Sequence, residues 1–308
     1  TNGSAVAMPW VDGVPSVVES WLGGQAGAGA VADILFGEVN PSGKLAETFP
    51  KRLQDNPAYL NFPGEAGESI YGERIFVGYR YYDTLQIEPL FPFGHGLSYT
   101  TFEYGDMTVS NKNITDHETL TVTATIKNTG KMAGKEIVQL YVSDPRSSLQ
   151  RPVKELKGFT KLSLEPRESK EVRFTLAARD FSFYDPRQSQ WIAESGEFEI
   201  GIGASSADIR MSETIQLSST RELNYAINEY TFFRVLWEDE QTRPLLIEFM
   251  PKWIGTNTAE GRPLEEADIH AYLLDQPLIK LPYFTEGEVT RERIAELIER
   301  CNRMTYRP

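Results

Sequence analysis

The sequence predicts a mixed fold that consists of an incomplete half of an α/β sandwich, an all-β sandwich and a small α-helical tail. Three observations predict it. A glycine-rich loop and a helix-like apolar stretch lie near the start, short alternating runs fill residues 105–217, and amphipathic stretches follow residue 218. A chain of 308 residues has room for two or three domains.

Residues 1–50 have the pattern of strand, glycine loop, helix and turn. The apolar stretch 14–22 predicts a buried strand or a short helix. Apolar residues at helical spacing then predict a helix that Gly37 ends. This pattern fits one half of a doubly wound sheet without its earlier strands. Because TNGSAVAMPW resembles the end of a strand and its loop, with no signal peptide, we expect the natural polypeptide to continue upstream of Thr1.

Residues 51–104 are rich in proline, glycine and aromatic side chains, which predicts an irregular linker that packs on its neighbours. Within it, IFVGYRYY (75–82) is a candidate short strand. The aromatic side chains could stack on sugar rings, but clusters of this kind more often form packing contacts. The cluster comprises Tyr79, Tyr81, Tyr82, Phe91, Phe93, Tyr99 and Phe102.

Residues 105–217 contain several short runs in which apolar and polar residues alternate, separated by turn sequences such as NTGKMAG and ESGE. This spacing predicts an all-β sandwich. Apolar residues alternate with polar ones in three of these runs, and a fourth run, 137–142, contains two alternating sets. The three runs are Leu120, Val122, Ala124 and Ile126; Val172, Phe174 and Leu176; and Phe198, Ile200 and Ile202. The two sets of the fourth run are Ile137, Gln139 and Tyr141, and Val138, Leu140 and Val142.

Residues 218–308 predict a helical extension with two amphipathic faces. Thr242 and Pro244 mark the start of the first helix, and Thr290 is a candidate N-cap of the second. Because a few short helices offer little core volume, we expect these faces to dock on the body of the protein or on a second copy in a homodimer. The two faces consist of Leu245, Leu246, Phe249, Met250 and Trp253, and of Ile294, Leu297, Ile298 and Cys301.

Composition excludes several classes of function. The net charge of −13 argues against binding to nucleic acid or to an anionic membrane surface. No 18-residue apolar run is present, so no transmembrane helix is predicted. Cys301 is the only cysteine, and the three histidines lie far apart, so we expect no intrachain disulfide and no metal site. One cysteine is compatible with a cytoplasmic, periplasmic or secreted protein.

Three features are candidates for chemistry. GGQAGAGA before a helix could bind phosphate, but its glycines lack the dinucleotide-binding order, so close packing is favoured. His95 could act as a base, although its flanking glycines favour a structural role. Glu65, Glu68 and Glu73 could supply a general acid, but the sequence offers no partner carboxylate of known geometry, so a solvated loop is favoured.

The order of these segments resembles the C-terminal half of a glycoside hydrolase family 3 β-glucosidase. The resemblance is carried by GSAVAMPW, SWLGGQAGAGAVADILFGEVNPSGKLAETFP, YGERIFVGYRYYD and LFPFGHGLSYTTFEY. The later segments NTGKMAGKEIVQLYVSD and GEFEIGIGASS resemble the fibronectin-III-like domain of that family. The resemblance implies four parts: the end of an α/β sandwich (1–50), a linker (51–104), a fibronectin-III-like sandwich (105–217) and a helical extension (218–308).

The resemblance also implies a retaining, exo-acting enzyme that removes terminal non-reducing β-D-glucosyl residues without a cofactor. In the family, the nucleophilic aspartate comes from an N-terminal barrel and the acid/base glutamate from the first part of the α/β sandwich. Both are expected upstream of Thr1, so no catalytic residue is assigned here. The partner is then the N-terminal portion of the same polypeptide. The alternative function is a carbohydrate-binding or adhesion module built on the β-sandwich.

Overall fold

Regular structure is concentrated between residues 102 and 218 in the computed structural model, which describes residues 2–221, 226–250 and 271–305. Contacts divide the chain into two units, Thr1–Arg221 and Glu222–Pro308. The mixed fold class is confirmed, since a segment with short helices, a β-sandwich and a group of helices follow one another along the described chain. No helix in the described ranges is both long and apolar enough to cross a membrane.

The first fifty residues contain one α-helix, α1 (Gly27–Leu35), and Gly37 follows it with φ of +77°. The predicted helix and its glycine stop are therefore confirmed. The expected strand or helix at 14–22 is wrong, because this stretch has no regular structure and most of its side chains are exposed. A strand needs a neighbouring strand to bond its backbone. Within residues 2–101, the described ladder contacts are two isolated bridges, Phe49–Phe91 and Glu65–Glu68.

The stretch 75–82 does not form the expected strand, because helix α2 (Tyr79–Leu85) begins inside it. Gly78 precedes the helix with φ of +53°, and Gln86 ends it in the left-handed region. Tyr79 and Tyr82, three residues apart, are both buried. Helical spacing thus buries two aromatic rings that alternation in a strand would place on opposite faces.

The β-sandwich consists of a three-stranded sheet, ordered β1-β3-β6, and a five-stranded sheet, ordered β2-β10-β9-β4-β5, with β7 and β8 as a separate hairpin. The pairs are antiparallel except for β2 with β10. The strands are β1 (Phe102–Val109), β2 (Asn113–Thr115), β3 (Leu120–Asn128), β4 (Gly134–Ser143), β5 (Glu155–Leu164), β6 (Ser169–Leu176), β7 (Phe183–Asp185), β8 (Gln190–Ile192), β9 (Gly196–Ser205) and β10 (Asp208–Ser218). Helix α3 (Ala178–Phe181) lies between β6 and β7.

The core of the sandwich confirms the alternation in the sequence. The ten alternating apolar positions of β3, β6 and β9 are all buried in one apolar cluster, and the Val138, Leu140 and Val142 set of β4 belongs to the same cluster. Strand β3 shows the pattern most regularly, since Leu120 pairs with Leu176 and Val122 with Phe174 across the β3–β6 ladder. In β4, however, Gln139 and Tyr141 are also buried, so both faces of this strand are covered.

The second unit contains five helices among its described residues. They are α4 (Phe233–Glu238), α5 (Arg243–Phe249), α6 (Ala271–Leu274), α7 (Leu281–Phe284) and α8 (Arg291–Thr305). The start of α5 after Thr242 is confirmed, and so is the N-cap of α8, where the Arg293 amide donates to Thr290 Oγ1 at 3.4 Å. Trp253 lies outside the described residues.

The two amphipathic faces of this unit pack into one shared core. Leu246, Phe249 and Met250 are buried in the same cluster as Leu297 and the other residues of the α8 face. The expectation that these helices cannot bury both faces among themselves is therefore wrong. The residues from α4, α6 and α7 supply the core volume that two helices alone would lack.

Candidate functional site

Polar contacts connect residues 40–104 to the five-stranded sheet and the segments beside it. Asn40 lies in an extended segment after α1, and its Oδ1 accepts hydrogen bonds from Ser98 Oγ at 2.9 Å and the Tyr99 amide at 2.8 Å. Its Nδ2 donates to the Ala133 carbonyl, just before β4, at 3.0 Å. The Tyr99 hydroxyl donates to the Ile34 carbonyl of α1 at 2.8 Å. The Asn40 side chain thus links its own segment to Ser98 and Tyr99 and to the residue before β4.

A largely buried ion pair forms the next contact. Lys44 Nζ lies 3.2 Å from Glu136 Oε1 of β4 and donates to the Gly96 carbonyl at 3.0 Å. Tyr104 of β1 donates its hydroxyl to the same carboxylate oxygen at 3.0 Å. Burial, followed by the charge of Glu136, raises the pKa of Tyr104, so its hydroxyl stays protonated and keeps donating.

Gln139 of β4 is the centre of a buried hydrogen-bond group. Its Nε2 donates to the carbonyls of Gly94 at 3.2 Å and Ala204 at 2.7 Å, and its Oε1 accepts from the Tyr141 hydroxyl at 2.6 Å. Gly94 has φ of +81°, and a Cβ there would lie 2.3 Å from Gln139 Oε1. Only glycine fits this turn without displacing the amide.

Helix α2 is held on β5 and the residue before it by two ion pairs and a hydrogen bond, and one of its rings packs on Phe93 and on β4. Arg80 Nη2 lies 3.2 Å from Glu155 Oε1, and Lys154 Nζ lies 2.7 Å from Asp83 Oδ2. The Tyr79 hydroxyl accepts a hydrogen bond from the Leu156 amide at 2.7 Å. The Tyr79 ring also stacks on Phe93 and meets Tyr141 edge-on, at centroid distances of 5.0 and 6.0 Å.

A buried arginine completes this set of charges. Arg151 reaches Asp144 at 3.0 Å and Glu155 at 3.1 Å, and the side chains of Arg151 and Asp144 are only 6% and 5% exposed. Burial raises the pKa of Asp144. Burial would also raise the pKa of Glu155, but Lys157 and then Arg151 outweigh it and hold that pKa below its usual range.

A pocket of about 300 Å³ lies beside α2. Its walls include Glu73, Phe76, Tyr81, Thr84 and Gln150, the last from the loop between β4 and β5. Burial raises the pKa of Tyr82, the neighbour of Tyr81 on this helix, to about 12. The pocket combines a carboxylate, a hydroxyl and an amide with aromatic surface, which is a composition suited to binding a polar group.

Of the predicted acidic candidates, only Glu73 lines this pocket. Glu65 and Glu68 are exposed, and they exchange backbone hydrogen bonds of 3.0 and 2.9 Å in a tight turn. His95 is half-buried, and its ring stacks on Phe91 at 5.4 Å. Burial, followed by the charge of Lys44, lowers the pKa of His95. The structural role favoured for this histidine fits its environment.

The glycine-rich loop shows a close backbone approach only at Gly23, where a Cβ would lie 3.0 Å from Gly27 Cα. A Cβ at Gly24, Gly27 or Gly29 would meet nothing within 4 Å among the described residues. Helix α1 has no buried residue, so its apolar side chains lie at the surface of this chain. The described residues also contain no group of three or more His, Cys, Asp or Glu placed to hold a metal ion.

The polar contacts at Asn40, Lys44 and Gln139 were not identified from the sequence. Each residue makes its contact with a segment that lies far away along the chain, so no local spacing indicates it. The sequence does indicate the turn at Gly94, because glycines flank His95 on both sides. It does not indicate that this turn contacts Gln139.

Comparison with known proteins assigns two domains. Residues 1–99 match the glycosyl hydrolase family 3 C-terminal domain, and residues 136–206 match a fibronectin type III-like domain. The second match falls within the β-sandwich, from β4 to the turn after β9. The first match covers the glycine-rich loop, α1, α2 and the contacts of Asn40 and Lys44.

Whole-chain comparisons agree with this assignment. A thermostable beta-glucosidase B from Acetivibrio thermocellus is 48% identical over 98% of this chain, which corresponds to 40% of that protein. The structure of a GH3 beta-glucosidase from Bifidobacterium adolescentis has a TM-score of 0.71 at 40% identity, over 80% of this chain and 36% of that one. A Kluyveromyces marxianus beta-glucosidase, solved with glucose, has a TM-score of 0.66 at 44% identity, over 70% and 26%. This chain thus spans less than half the length of these relatives. It belongs to glycoside hydrolase family 3, and it carries the C-terminal domain of that family together with a fibronectin type III-like domain.

Proposed function

We propose that this chain is the C-terminal part of a retaining, exo-acting β-glucosidase that hydrolyses terminal non-reducing β-D-glucosyl residues. The relatives described above are named beta-glucosidases. In this proposal, the N-terminal portion of the polypeptide supplies both catalytic carboxylates and the sugar pocket. This chain positions that portion and contributes no catalytic residue.

The observation that carries the proposal is the uneven exposure of large apolar side chains. Twenty of them are exposed between residues 2 and 104, and only six between 105 and 221. Helix α1 and the loop that follows α1 show the contrast well, since Leu35 and Phe36 are 64% and 84% exposed. A surface this apolar is typical of a region that another protein segment covers. The sandwich, in contrast, buries its own apolar residues.

The chemistry explains why positioning matters. A retaining glycosidase needs its two carboxyl groups about 5–5.5 Å apart. A displacement of about 1 Å can lower the rate about a hundredfold. When the two groups come from different domains, their separation depends on the surfaces that hold those domains together. The contacts of Asn40, Lys44 and Gln139 fix residues 40–104 on a rigid sandwich, so that the apolar surface is presented in one arrangement.

The test is hydrolysis of an aryl β-glucoside by two purified samples, the complete polypeptide and the 308-residue chain alone. The complete polypeptide is expected to release the phenol and to give the β-anomer of glucose first, as NMR would show. The chain alone is expected to give only the uncatalysed rate. Hydrolysis by the chain alone, or release of the α-anomer first, would overturn the proposal.

A second candidate function is sugar binding by the β-sandwich, and one observation favours it. Tyr184 of β7 and Trp191 of β8 face each other across their hairpin, with ring centroids 5.5 Å apart, and both are exposed. Exposed aromatic rings of this kind can stack on sugars. Retention of the chain on insoluble β-glucan, lost in the Trp191→Ala variant, would support this function.

A homodimer contact through the helical unit is also part of the proposal. Tyr230, Phe232, Val235 and Tyr283 are exposed on this unit even though its core is closed. Light scattering of the complete polypeptide, with and without residues 222–308, tests the contact. A halved mass after truncation supports it, and an unchanged mass contradicts it.

A further inference from the structure

The pocket beside α2 contains two polar atoms that lack partners. Glu73 Oε2 and Thr84 Oγ1 are both shielded from solvent, and neither has a hydrogen-bond partner among the described residues. Thr48 and Ser206 also have such a hydroxyl, but neither lines this pocket. Leaving a buried carboxylate oxygen without a donor is far less favourable than leaving a hydroxyl, so Glu73 most needs an explanation.

The neighbouring carboxylates, unlike Glu73, each lie beside a cation, although Asp83 Oδ2 is also buried without a hydrogen bond. Asp83 of α2 lies 2.7 Å from Lys154, and Glu155 of β5 lies 3.2 Å from Arg80. Arg74, next to Glu73 in sequence, also lines the pocket, but its side chain is exposed and it does not bond Glu73 Oε2. The described part of the chain therefore pairs the other carboxylates around α2 and leaves this acceptor for a donor from elsewhere.

The surroundings indicate what kind of donor fits. Ile70, Tyr71 and Ile75, which flank Glu73 in sequence, are all exposed and belong to the apolar surface described above. Residues 1–104 carry five Lys and Arg against twelve Asp and Glu, so this region attracts a cation. Phe76 and Tyr81 line the pocket and provide aromatic surface for a flat cationic group.

We propose that the pocket receives an arginine side chain from the N-terminal portion of the enzyme, whose guanidinium donates to Glu73 Oε2. Thr84 Oγ1 is the second polar contact, and Phe76 and Tyr81 pack against the planar group. Arginine suits the site better than lysine because its fork can bond a carboxylate and stack on a ring at once. This inference rests on the proposed function, because it assumes that the N-terminal portion covers this surface.

The test compares Glu73→Gln with Glu65→Gln in the complete polypeptide and in the 308-residue chain. Glu65 is exposed in the same segment and serves as the matched control. We expect Glu73→Gln to lower the melting temperature of the complete polypeptide by at least about 2 °C and to leave that of the chain alone unchanged. Thr84→Val should show a smaller shift with the same dependence, and Glu65→Gln should show none in either sample.

Equal shifts in both samples would overturn the proposal, since Glu73 would then act within this chain. No shift of the melting temperature in either sample would also overturn it. If glucose stabilises the chain alone and Glu73→Gln abolishes that stabilisation, the pocket is a sugar site and the proposal is overturned as well. Hydrogen exchange at residues 70–85 of the complete polypeptide, expected to rise in Glu73→Gln, provides a second measurement if the chain alone aggregates. Hydrolysis of an aryl β-glucoside by the wild-type complete polypeptide is measured on the same sample. An active enzyme with an unaffected Glu73→Gln variant refutes only the arginine contact, whereas an inactive one refutes the proposed function.

Discussion

Replacing Gly94 with alanine should destabilise the junction between the aromatic segment and the sandwich. Gly94 has φ of +81°, and an added Cβ would lie 2.3 Å from Oε1 and 2.6 Å from Nε2 of Gln139. Gln139 has no room to move freely, because it is buried and makes three hydrogen bonds, to Gly94, Ala204 and Tyr141. The alanine must therefore displace an amide that is fully satisfied in the wild type.

The size of the effect follows from two contributions. A left-handed backbone conformation costs a residue with a Cβ about 1–2 kcal/mol. Displacing Gln139 leaves buried polar groups unsatisfied, which costs about 1–3 kcal/mol more. The free energy of unfolding should thus fall by about 2–5 kcal/mol, which is a large share of the stability of a domain of this size.

Gly37→Ala is the matched control. Gly37 has φ of +77°, but a Cβ there would meet nothing within 4 Å among the described residues. This variant carries the backbone contribution alone, so its expected loss is about 1–2 kcal/mol. Urea unfolding, followed by the fluorescence of the sandwich, measures both variants. If Gly94→Ala destabilises no more than Gly37→Ala, the hydrogen-bond group around Gln139 does not stabilise the junction.

Three further predictions concern other contacts. Arg151→Met should lower the free energy of unfolding by about 3–5 kcal/mol, because it leaves the buried Asp144 without its ion partner and removes one of the three cations around Glu155. Arg173→Met breaks an exposed pair and should lower it by less than about 1 kcal/mol. Equal losses in urea unfolding would contradict this. Thr290→Ala should remove the N-cap of α8 and destabilise the helical unit by about 0.5–2 kcal/mol, as its thermal unfolding by circular dichroism would show, and an unchanged midpoint would refute the cap. His95 has a lowered pKa in the folded state, so the unfolded chain binds the proton more readily and the free energy of unfolding should fall as pH drops below 6.5. The His95→Phe variant should lose this part of the pH dependence. An identical slope of unfolding free energy against pH in the variant and the wild type would contradict the assignment.

The sandwich could be predicted from the sequence because its signal is local. In β3 and β6, apolar residues occupy every second position, and that period alone determines which side chains face the core. The helix α1 and its glycine stop were predictable for the same reason. Helix α8 was also predictable, since Thr290 and an apolar face at helical spacing are both visible in the sequence.

Other features depend on parts of the chain that the local sequence does not reveal. The stretch 75–82 predicts a strand because its four aromatic residues, isoleucine and valine favour strands. The positive φ of Gly78 and the burial of Tyr79 and Tyr82 favour the helix instead. The core of the helical unit was underestimated because it draws on several short helices that carry weak patterns by themselves. The pocket at Glu73 joins two distant segments, so the sequence could offer this residue only as one of three acidic candidates.

The most direct test of the central claim is reconstitution of activity from two separate polypeptides. The N-terminal portion of the enzyme is titrated with this 308-residue chain, and hydrolysis of an aryl β-glucoside is followed. If this chain positions catalytic groups that it does not contain, neither polypeptide is active alone, and activity rises with added chain until it saturates. Full activity of the N-terminal portion by itself would contradict the claim, because the catalytic carboxylates would then need no support from this chain.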